Sequence, residues 1–177
     1  YRWIEYYKIK FKSRVYTPLN NSEKYTLVLM GRADFGLLGS YNKYKQTPFE
    51  TFHVGGDGMT GSYTYATETI GLRGYDNGAL TPYSDGRAYT RFSMELHFPF
   101  LLQPSSTIYG LAFVEGGNAW TSLENFNPFS LKRSAGVGVR IFLPMIGLMG
   151  IDWAYGFDKV QGEKGGGHFH FILGQEF

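Results

Sequence analysis

Apolar and polar side chains alternate along most of this chain, and this period of two limits the possible folds more than any other feature. In segment 87–98 the even positions are mostly apolar, whereas the odd positions include two arginines, a glutamate and a histidine. Successive side chains of a strand point to opposite faces, so the pattern predicts strands that separate two environments. The predicted strands, which include two less regular segments, cover residues 4–16, 24–37, 48–55, 87–98, 106–116, 133–143, 147–157 and 168–177.

About eight such strands form either a soluble barrel or sandwich with its apolar face inside, or a membrane barrel with its apolar face outside. The polar face combines glycines with large charged residues, for example Gly138 and Arg140 on one strand and Gly150 and Asp152 on the next. Such a face suits a water-filled lumen and would cover a soluble surface poorly. Several segments also reach the roughly 9–11 residues that a strand needs to cross a bilayer. The pattern therefore favours an all-β fold, an antiparallel transmembrane β-barrel.

The composition excludes several other classes of protein. The 177 residues include 24 glycines, 15 phenylalanines and 14 tyrosines but no cysteine, which excludes a disulfide scaffold, a cysteine-based zinc site and a cysteine nucleophile. A net charge of +2 is too small to indicate a nucleic-acid partner. The longest apolar run, residues 141–151, is shorter than the roughly 20 residues of a membrane-spanning helix. The chain begins at Tyr1 without a recognisable signal peptide, so we interpret it as a segment of a longer protein.

A long predicted loop, at about residues 57–86, carries the most distinctive short motif. The motif consists of Gly71, Leu72, Arg73, Gly74 and Tyr75. A loop of this length in a compact domain is usually functional or disordered. Because glycines permit sharp turns, the two glycines allow the loop to fold back and carry Arg73 into the barrel. An exposed loop arginine is the simpler interpretation, and the spacing alone favours it.

A buried Arg73 would need acidic partners, and three candidates lie on the predicted strands. Glu95 shares the polar face of segment 87–98, Glu115 ends the next strand, and Asp152 is a third candidate. A row of basic residues near the N-terminus is expected to line the same wet lumen. The row consists of Lys8, Lys10, Lys12 and Arg14.

Neither a metal site nor a catalytic site is predicted. His168 and His170 share one strand face, which is compatible with metal binding, but no third ligand is near them in sequence. We expect them to form a polar pair facing the lumen. Ser93 and His97 also share a face, but no carboxylate or glycine elbow completes a hydrolase site, so we expect no enzyme activity.

Several motifs resemble those of the Omp85 superfamily of outer-membrane proteins and follow the same order. LRGY at 72–75 resembles the VRGF/Y motif of the sixth extracellular loop, and HVGG at 53–56 resembles the glycine pair before that loop. Segment 113–120 resembles a strand with an acidic residue, glycine and tryptophan, and segment 133–155 resembles the penultimate hairpin. The C-terminal segment resembles the superfamily's β-signal through Phe169, Phe171, Leu173, Gly174 and Phe177.

The resemblance implies that residues 1–177 form a segment of a transmembrane β-barrel, the C-terminal half of a sixteen-stranded wall, in the outer membrane of a Gram-negative bacterium. It also implies that Glu95 and Glu115 bind Arg73 inside the barrel. The superfamily usually has aspartate at the position of Glu115, so the longer glutamate implies a slightly longer reach. Neither the resemblance nor any motif calls for a cofactor.

The role that the resemblance implies is the non-enzymatic folding and insertion of outer-membrane proteins. The expected partners are outer-membrane lipid, unfolded outer-membrane protein clients and accessory assembly subunits. The last strand would pair with a client at a lateral gate, although the POTRA domains and first strands of a superfamily insertase are not in this sequence. The alternatives are a TamA-like or protein-secreting relative, and a passive porin or structural barrel of eight strands.

Overall fold

The computed structural model describes residues 5–20, 22, 26–42, 46–59, 67–83, 85–103, 106–160 and 166–174. The strands of these residues are β1 (Tyr6–Pro18), β2 (Val28–Ser40), β3 (Phe52–Val54), β4 (Glu68–Ile70), β5 (Ala88–Gln103), β6 (Ser106–Trp120), β7 (Lys132–Leu143), β8 (Gly147–Gly156) and β9 (Gly167–Leu173). No helix in this part of the chain is long and apolar enough to cross a membrane. Phe177, which belongs to the predicted terminal strand, lies outside the described residues.

Seven strands form one antiparallel sheet, which we call the wall. Their order is β1-β2-β5-β6-β7-β8-β9, so each wall strand is bonded to the next one along the chain. Within the described residues β1 and β9 are the two edges of the wall and do not pair with each other, so the wall is open. The predicted all-β, antiparallel barrel architecture is confirmed, with strand ends that differ from the predicted ones by a few residues.

The connections between wall strands differ in length at the two ends of the wall. Residues 104–105 join β5 to β6, and residues 144–146 join β7 to β8. The second turn is closed by the Ile146 N–H, which donates to the Leu143 carbonyl at 3.1 Å, and by Gly147 at φ +92°. At the opposite end, residues 41–87 join β2 to β5 and residues 121–131 join β6 to β7. Outer-membrane barrels show this asymmetry, with the longer loops outside the cell.

The two faces of the wall carry the side chains that the alternation predicts. On β7 and β8 the side chains of Val137, Val139, Ile151 and Trp153 are exposed on the outer face. Arg140 and Asp152 point to the inner face and are 3% and 0% exposed. The outer face is therefore apolar, as contact with lipid requires, whereas the inner face buries charged groups.

One predicted wall strand is in a different place. Segment 48–55 was expected to cross the membrane, but only Phe52–Val54 is a strand, and it pairs in parallel with β4 in a separate two-stranded sheet. The segment is short and mixed in character, so its sequence could not distinguish a wall strand from an inserted one. The Phe52 N–H donates to the Gly86 carbonyl at 2.8 Å, and this bond joins the segment to the end of the loop that precedes β5.

The main apolar core lies between the inner face of the wall and the inserted loop. Leu38 of β2 and Tyr89 of β5 contribute from the wall. The other buried members come from the loop and are Phe52, Val54, Ile70, Leu72 and Tyr75. The Phe52 and Tyr89 rings meet edge to face with centroids 4.7 Å apart. The loop is therefore packed into the concave side of the wall, and this packing places the arginine motif at residues 71–75.

Candidate functional site

The arginine motif is held against the wall by backbone and side-chain hydrogen bonds. The Leu72 N–H donates to the Gly56 carbonyl at 3.0 Å, and the Gly74 N–H donates to Nε2 of His170 on β9 at 3.0 Å. The Tyr75 hydroxyl donates to the Arg133 carbonyl at 2.7 Å. These bonds join the loop to β7 and β9, so the motif cannot swing into solvent without losing wall contacts.

Arg73 lies at the centre of a cluster of three carboxylates, which we call the arginine cluster. Its Nε donates to Glu115 at 3.1 Å, its Nη1 donates to Asp152 at 3.0 Å, and its Nη2 bonds to both Glu95 and Glu115. The backbone N–H of Arg73 also donates to Glu115 at 2.9 Å. The structure therefore brings Arg73 together with all three acids that the sequence analysis selected. An exposed loop arginine, the simpler interpretation, is wrong because the side chain is 2% exposed.

Further groups complete the hydrogen bonding of the three acids. Arg140 holds Asp152 with both terminal nitrogens, Ser93 donates to Glu115 at 3.0 Å, and His97 Nε2 lies 2.8 Å from Glu95. Charged groups in a low-dielectric interior require such partners, because an unpaired buried charge is strongly destabilising. The cluster is thus a closed network that joins the loop to β5, β6, β7 and β8.

Electrostatics keep Arg73 charged in this site. Burial lowers the pKa of Arg73, but the carboxylates of Glu115 and Glu95 raise it by a larger amount, and the net pKa lies above its usual value. The guanidinium also stacks on the Phe113 ring, with its central carbon 3.6 Å from the ring centroid. Arg73 is therefore a permanent cation that joins strands of the wall, and it has no proton to transfer at neutral pH.

A second ion-pair group, which the sequence analysis missed, holds the start of the motif. Arg91 donates to Asp34 through Nε and Nη2, at 3.1 and 2.6 Å, and to the Gly71 carbonyl through Nη1. Arg32 donates to the same carboxylate at 2.7 Å. Asp34 and Arg91 stand directly opposite each other on β2 and β5. That pairing could have been found only with the register of two strands separated by the whole loop.

The predicted basic row binds the inserted sheet. Lys8 lies 2.8 Å from Glu50 and 3.1 Å from Glu68, and Lys10 lies 3.0 Å from Glu68. Burial raises the pKa of Glu68, but the hydrogen bonds from Lys10 and Lys8 lower it by more, so the net pKa is lowered. The row is predicted to line a wet lumen, and in the structure Lys8 and Lys10 bind Glu68 of β4.

The two C-terminal histidines contact the loop. His168 Nδ1 lies 3.1 Å from an Asp76 carboxylate oxygen, and the two imidazole rings stack with centroids 6.2 Å apart. Among the described residues no group of three or more histidine, aspartate or glutamate side chains is placed to hold a metal ion. The polar pair therefore helps to dock the loop against β9.

The last strand has a regular outer face and a contacted edge. Phe169, Phe171 and Leu173 are exposed on the outer face at 69%, 61% and 58%. Gly174 has φ +69° and donates its N–H to the Leu148 carbonyl at 2.7 Å. Because the direction of backbone groups alternates along a strand, the backbone groups of the three exposed residues point away from β8. One of them, the Leu173 N–H, lies 3.3 Å from the sulfur of Met59.

Gly74 is the glycine of the motif for which the structure allows no side chain. Its φ is +90°, and an added Cβ would lie 2.7 Å from Ser134 Cβ and 3.2 Å from the Gly156 nitrogen. We expect Gly74→Ala to destabilise the docked loop by about 1–3 kcal/mol, because a strained backbone and a steric clash add at one position. The measurement is the urea unfolding midpoint of the full-length protein.

Gly31→Ala is the matched control for Gly74→Ala. Gly31 lies within β2, and an added Cβ there would meet no atom within 4 Å. Equal unfolding midpoints for the two variants would contradict the docked conformation of residues 71–75.

The family model described as the Omp85 superfamily domain matches residues 1–177, the whole length of the chain. The chain belongs to the Omp85 superfamily. Membership and fold together make it an Omp85-type outer-membrane β-barrel protein, and they imply the outer membrane of a Gram-negative bacterium.

The fold of this Omp85 chain is similar to that of a solved superfamily structure, the crystal structure of BamA from Haemophilus ducreyi lacking POTRA domains 1-3. The TM-score is 0.68 and the sequence identity is 22%, over 94% of this chain and 34% of the other. The chain thus spans about a third of the length of that structure. The similarity supports the expected barrel fold.

Proposed function

We propose that this Omp85 chain is part of an insertase that folds β-barrel proteins into the outer membrane, without a catalytic reaction of its own. The observation that carries the proposal is the arginine cluster, in which Arg73 of the inserted loop bonds to Glu95, Glu115 and Asp152 on the wall. A loop locked in this way fixes the shape of the wall from the inside. The wall can then present an unpaired strand edge to a client protein while its interior keeps its shape.

In the proposed mechanism, a strand of the client protein pairs with the edge of β9 that is turned away from β8. Within the described residues β9 pairs with β8 alone, so a second strand can bond to the backbone groups of Phe169 and Phe171, which point away from β8. A one-residue shift would exchange the lipid and lumen faces of the added strand, so the outward Phe169 and Phe171 restrict its register. Unfolded outer-membrane proteins are the proposed clients, and accessory assembly subunits are proposed to deliver them.

A passive pore fits the interior less well. The inserted loop fills the concave side of the wall with buried apolar side chains, including Phe52, Leu72 and Tyr75. A diffusion channel needs a water-filled lumen, whereas this packing removes water from the middle of the described wall. Among the described residues the wall has seven strands and two unpaired edges, whereas a structural barrel of eight strands would close on itself.

The test is a reconstitution of the full-length protein in liposomes with a urea-unfolded β-barrel client. Insertase activity predicts faster appearance of the folded, heat-modifiable client in the liposome membrane than in empty liposomes. Client recovered as soluble protein on the far side of the membrane would indicate a secreting relative instead. A steady ion conductance with no effect on client folding would indicate a porin, and either of these two outcomes would overturn the proposal.

A further inference from the structure

An apolar groove of about 870 Å³ crosses the outer face of the wall. Ser93 and Glu115, which belong to the arginine network on the inner face, are also among the residues that line it. Four of its residues lie at one register level: Val15, Gly31, Met94 and Val114, which are partners on β1, β2, β5 and β6. The side chains of Val15, Met94 and Val114 are 59%, 53% and 54% exposed. The groove has open space at Gly31, where an added Cβ would meet nothing within 4 Å.

The groove descends from the long-loop end of the wall into the membrane. Its upper end is at Arg133, the second residue of β7, and its lower end is at Val15, near the short-connection end of β1. Four strand spacings separate these ends, which is about 19 Å at ~4.8 Å per strand. Because barrel strands tilt by roughly 35–45°, a path across the strands runs obliquely through the membrane. One leaflet of the hydrocarbon core is about 15 Å thick, so the groove is long enough for one acyl chain.

The upper end of the groove is cationic. The Arg133 side chain is 70% exposed, and Asp158 accepts from its Nε and Nη2 at 3.0 Å each. This pair fixes the guanidinium and leaves Nη1 without a bonded acceptor among the described residues. Lys132 is the neighbouring residue on β7, and its ammonium group donates to the Lys159 carbonyl at 3.1 Å, so a second cation lies near the Arg133–Asp158 pair. Exposed cations above an apolar groove match a lipid that has a negatively charged headgroup.

We propose that the groove binds one anionic, phosphate-bearing lipid of the outer leaflet, with an acyl chain over Gly31 and the phosphate at Arg133. The geometry divides the binding between two parts of the site. The acyl chain of the lipid contacts Val15, Met94 and Val114 and leaves the bulk lipid. The Arg133 guanidinium provides a charge-assisted hydrogen bond to the phosphate. The proposal requires only that the outer face of the wall contacts lipid, and it does not depend on the insertase activity.

The experiment measures lipid retention by the full-length protein in native mass spectrometry. The protein is exchanged into phosphatidylcholine nanodiscs that contain either phosphatidylglycerol or lipid A, and is then released and its bound lipids are counted. We expect one retained anionic lipid, and the arm that shows stronger retention identifies its source. Equal retention of phosphatidylcholine and of both anionic lipids would overturn the assignment of an anionic ligand.

Three variants test the two parts of the site. Gly31→Leu fills the groove at a position with open space, and Arg133→Gln removes the rim charge; each is expected to reduce retention about tenfold. Arg133→Lys keeps the charge and should retain more lipid than Arg133→Gln. Val139→Leu, on the outer face away from the groove, should retain lipid as the parent protein does.

The outcomes that contradict the site are equally specific. Parent-level retention by Gly31→Leu would overturn the groove as the chain site, and parent-level retention by Arg133→Gln would overturn the phosphate contact. A heat-modifiable shift on gels shows whether each variant is folded. If Gly31→Leu fails to assemble, the exposed Arg133→Gln variant still decides the proposal, because its side chain lies at the edge of the wall and bears little on packing.

Discussion

Replacing Arg73 with alanine is expected to destabilise the folded barrel by about 3–5 kcal/mol, the typical cost of removing one partner from a buried ion pair. The substitution leaves Glu95, Glu115 and Asp152 facing one another with one cation fewer. All three side chains are at most 5% exposed, so water does not compensate them. The measurement is the urea unfolding midpoint of the full-length protein, together with its folded fraction in cells.

Arg14→Ala is the matched control for Arg73→Ala. Arg14 also lies on the inner face of the wall, opposite Arg32 of β2, but it is exposed. Substitutions of exposed residues usually change stability by less than about 0.5 kcal/mol. Equal midpoints for the two variants would show that the arginine cluster contributes no more than an exposed arginine does.

A double variant separates loss of the ion pair from loss of packing. Adding Glu115→Gln to Arg73→Ala removes one of the uncompensated carboxylates, so part of the lost stability should return. Loss of contact with the Phe113 ring would not be repaired in this way. An additive effect of the two substitutions would assign the cost to packing instead.

Placing an arginine on the outer face at Val139 is the second substitution expected to have a large effect. Val139 is 44% exposed on β7, opposite Ile151 of β8. A charged side chain facing lipid near the middle of the membrane costs roughly 2–4 kcal/mol, so Val139→Arg should lower the unfolding midpoint in lipid vesicles by a corresponding amount. Val139→Leu is the control, and equal stability of the two variants would show that this face does not contact lipid.

The neighbouring Arg140→Lys substitution also has a defined expectation. From the alternation alone it would be mild, because a lumen-facing cation is kept. The structure shows that Arg140 holds Asp152 with two nitrogens, a geometry that lysine cannot reproduce. Its effect should therefore lie between those of Val139→Leu and Arg73→Ala.

The strands and their two faces could be read from the sequence because the information is local. Within a strand, the face of each side chain follows from its position relative to its immediate neighbours. The contrast between Val139 and Arg140 is visible in the sequence, and the structure exposes one and buries the other. The motif at residues 71–75 and the three candidate acids were likewise identified from short segments. For Glu95 and Glu115 the family resemblance also supported the choice.

The tertiary structure alone decided how those segments meet. Arg73 contacts acids that lie 22, 42 and 79 residues away, and no periodicity carries information over such separations. The same holds for the pairing of Asp34 with Arg91 and for the level at which Gly31 meets Met94, which together depend on the register of β2 against β5. The prediction of a wall strand at segment 48–55 is wrong because a short segment of mixed apolar and polar residues is compatible with both a wall strand and a strand of the inserted loop. Local sequence sets the direction of a side chain, whereas its partner is set by packing of the whole wall around the inserted loop.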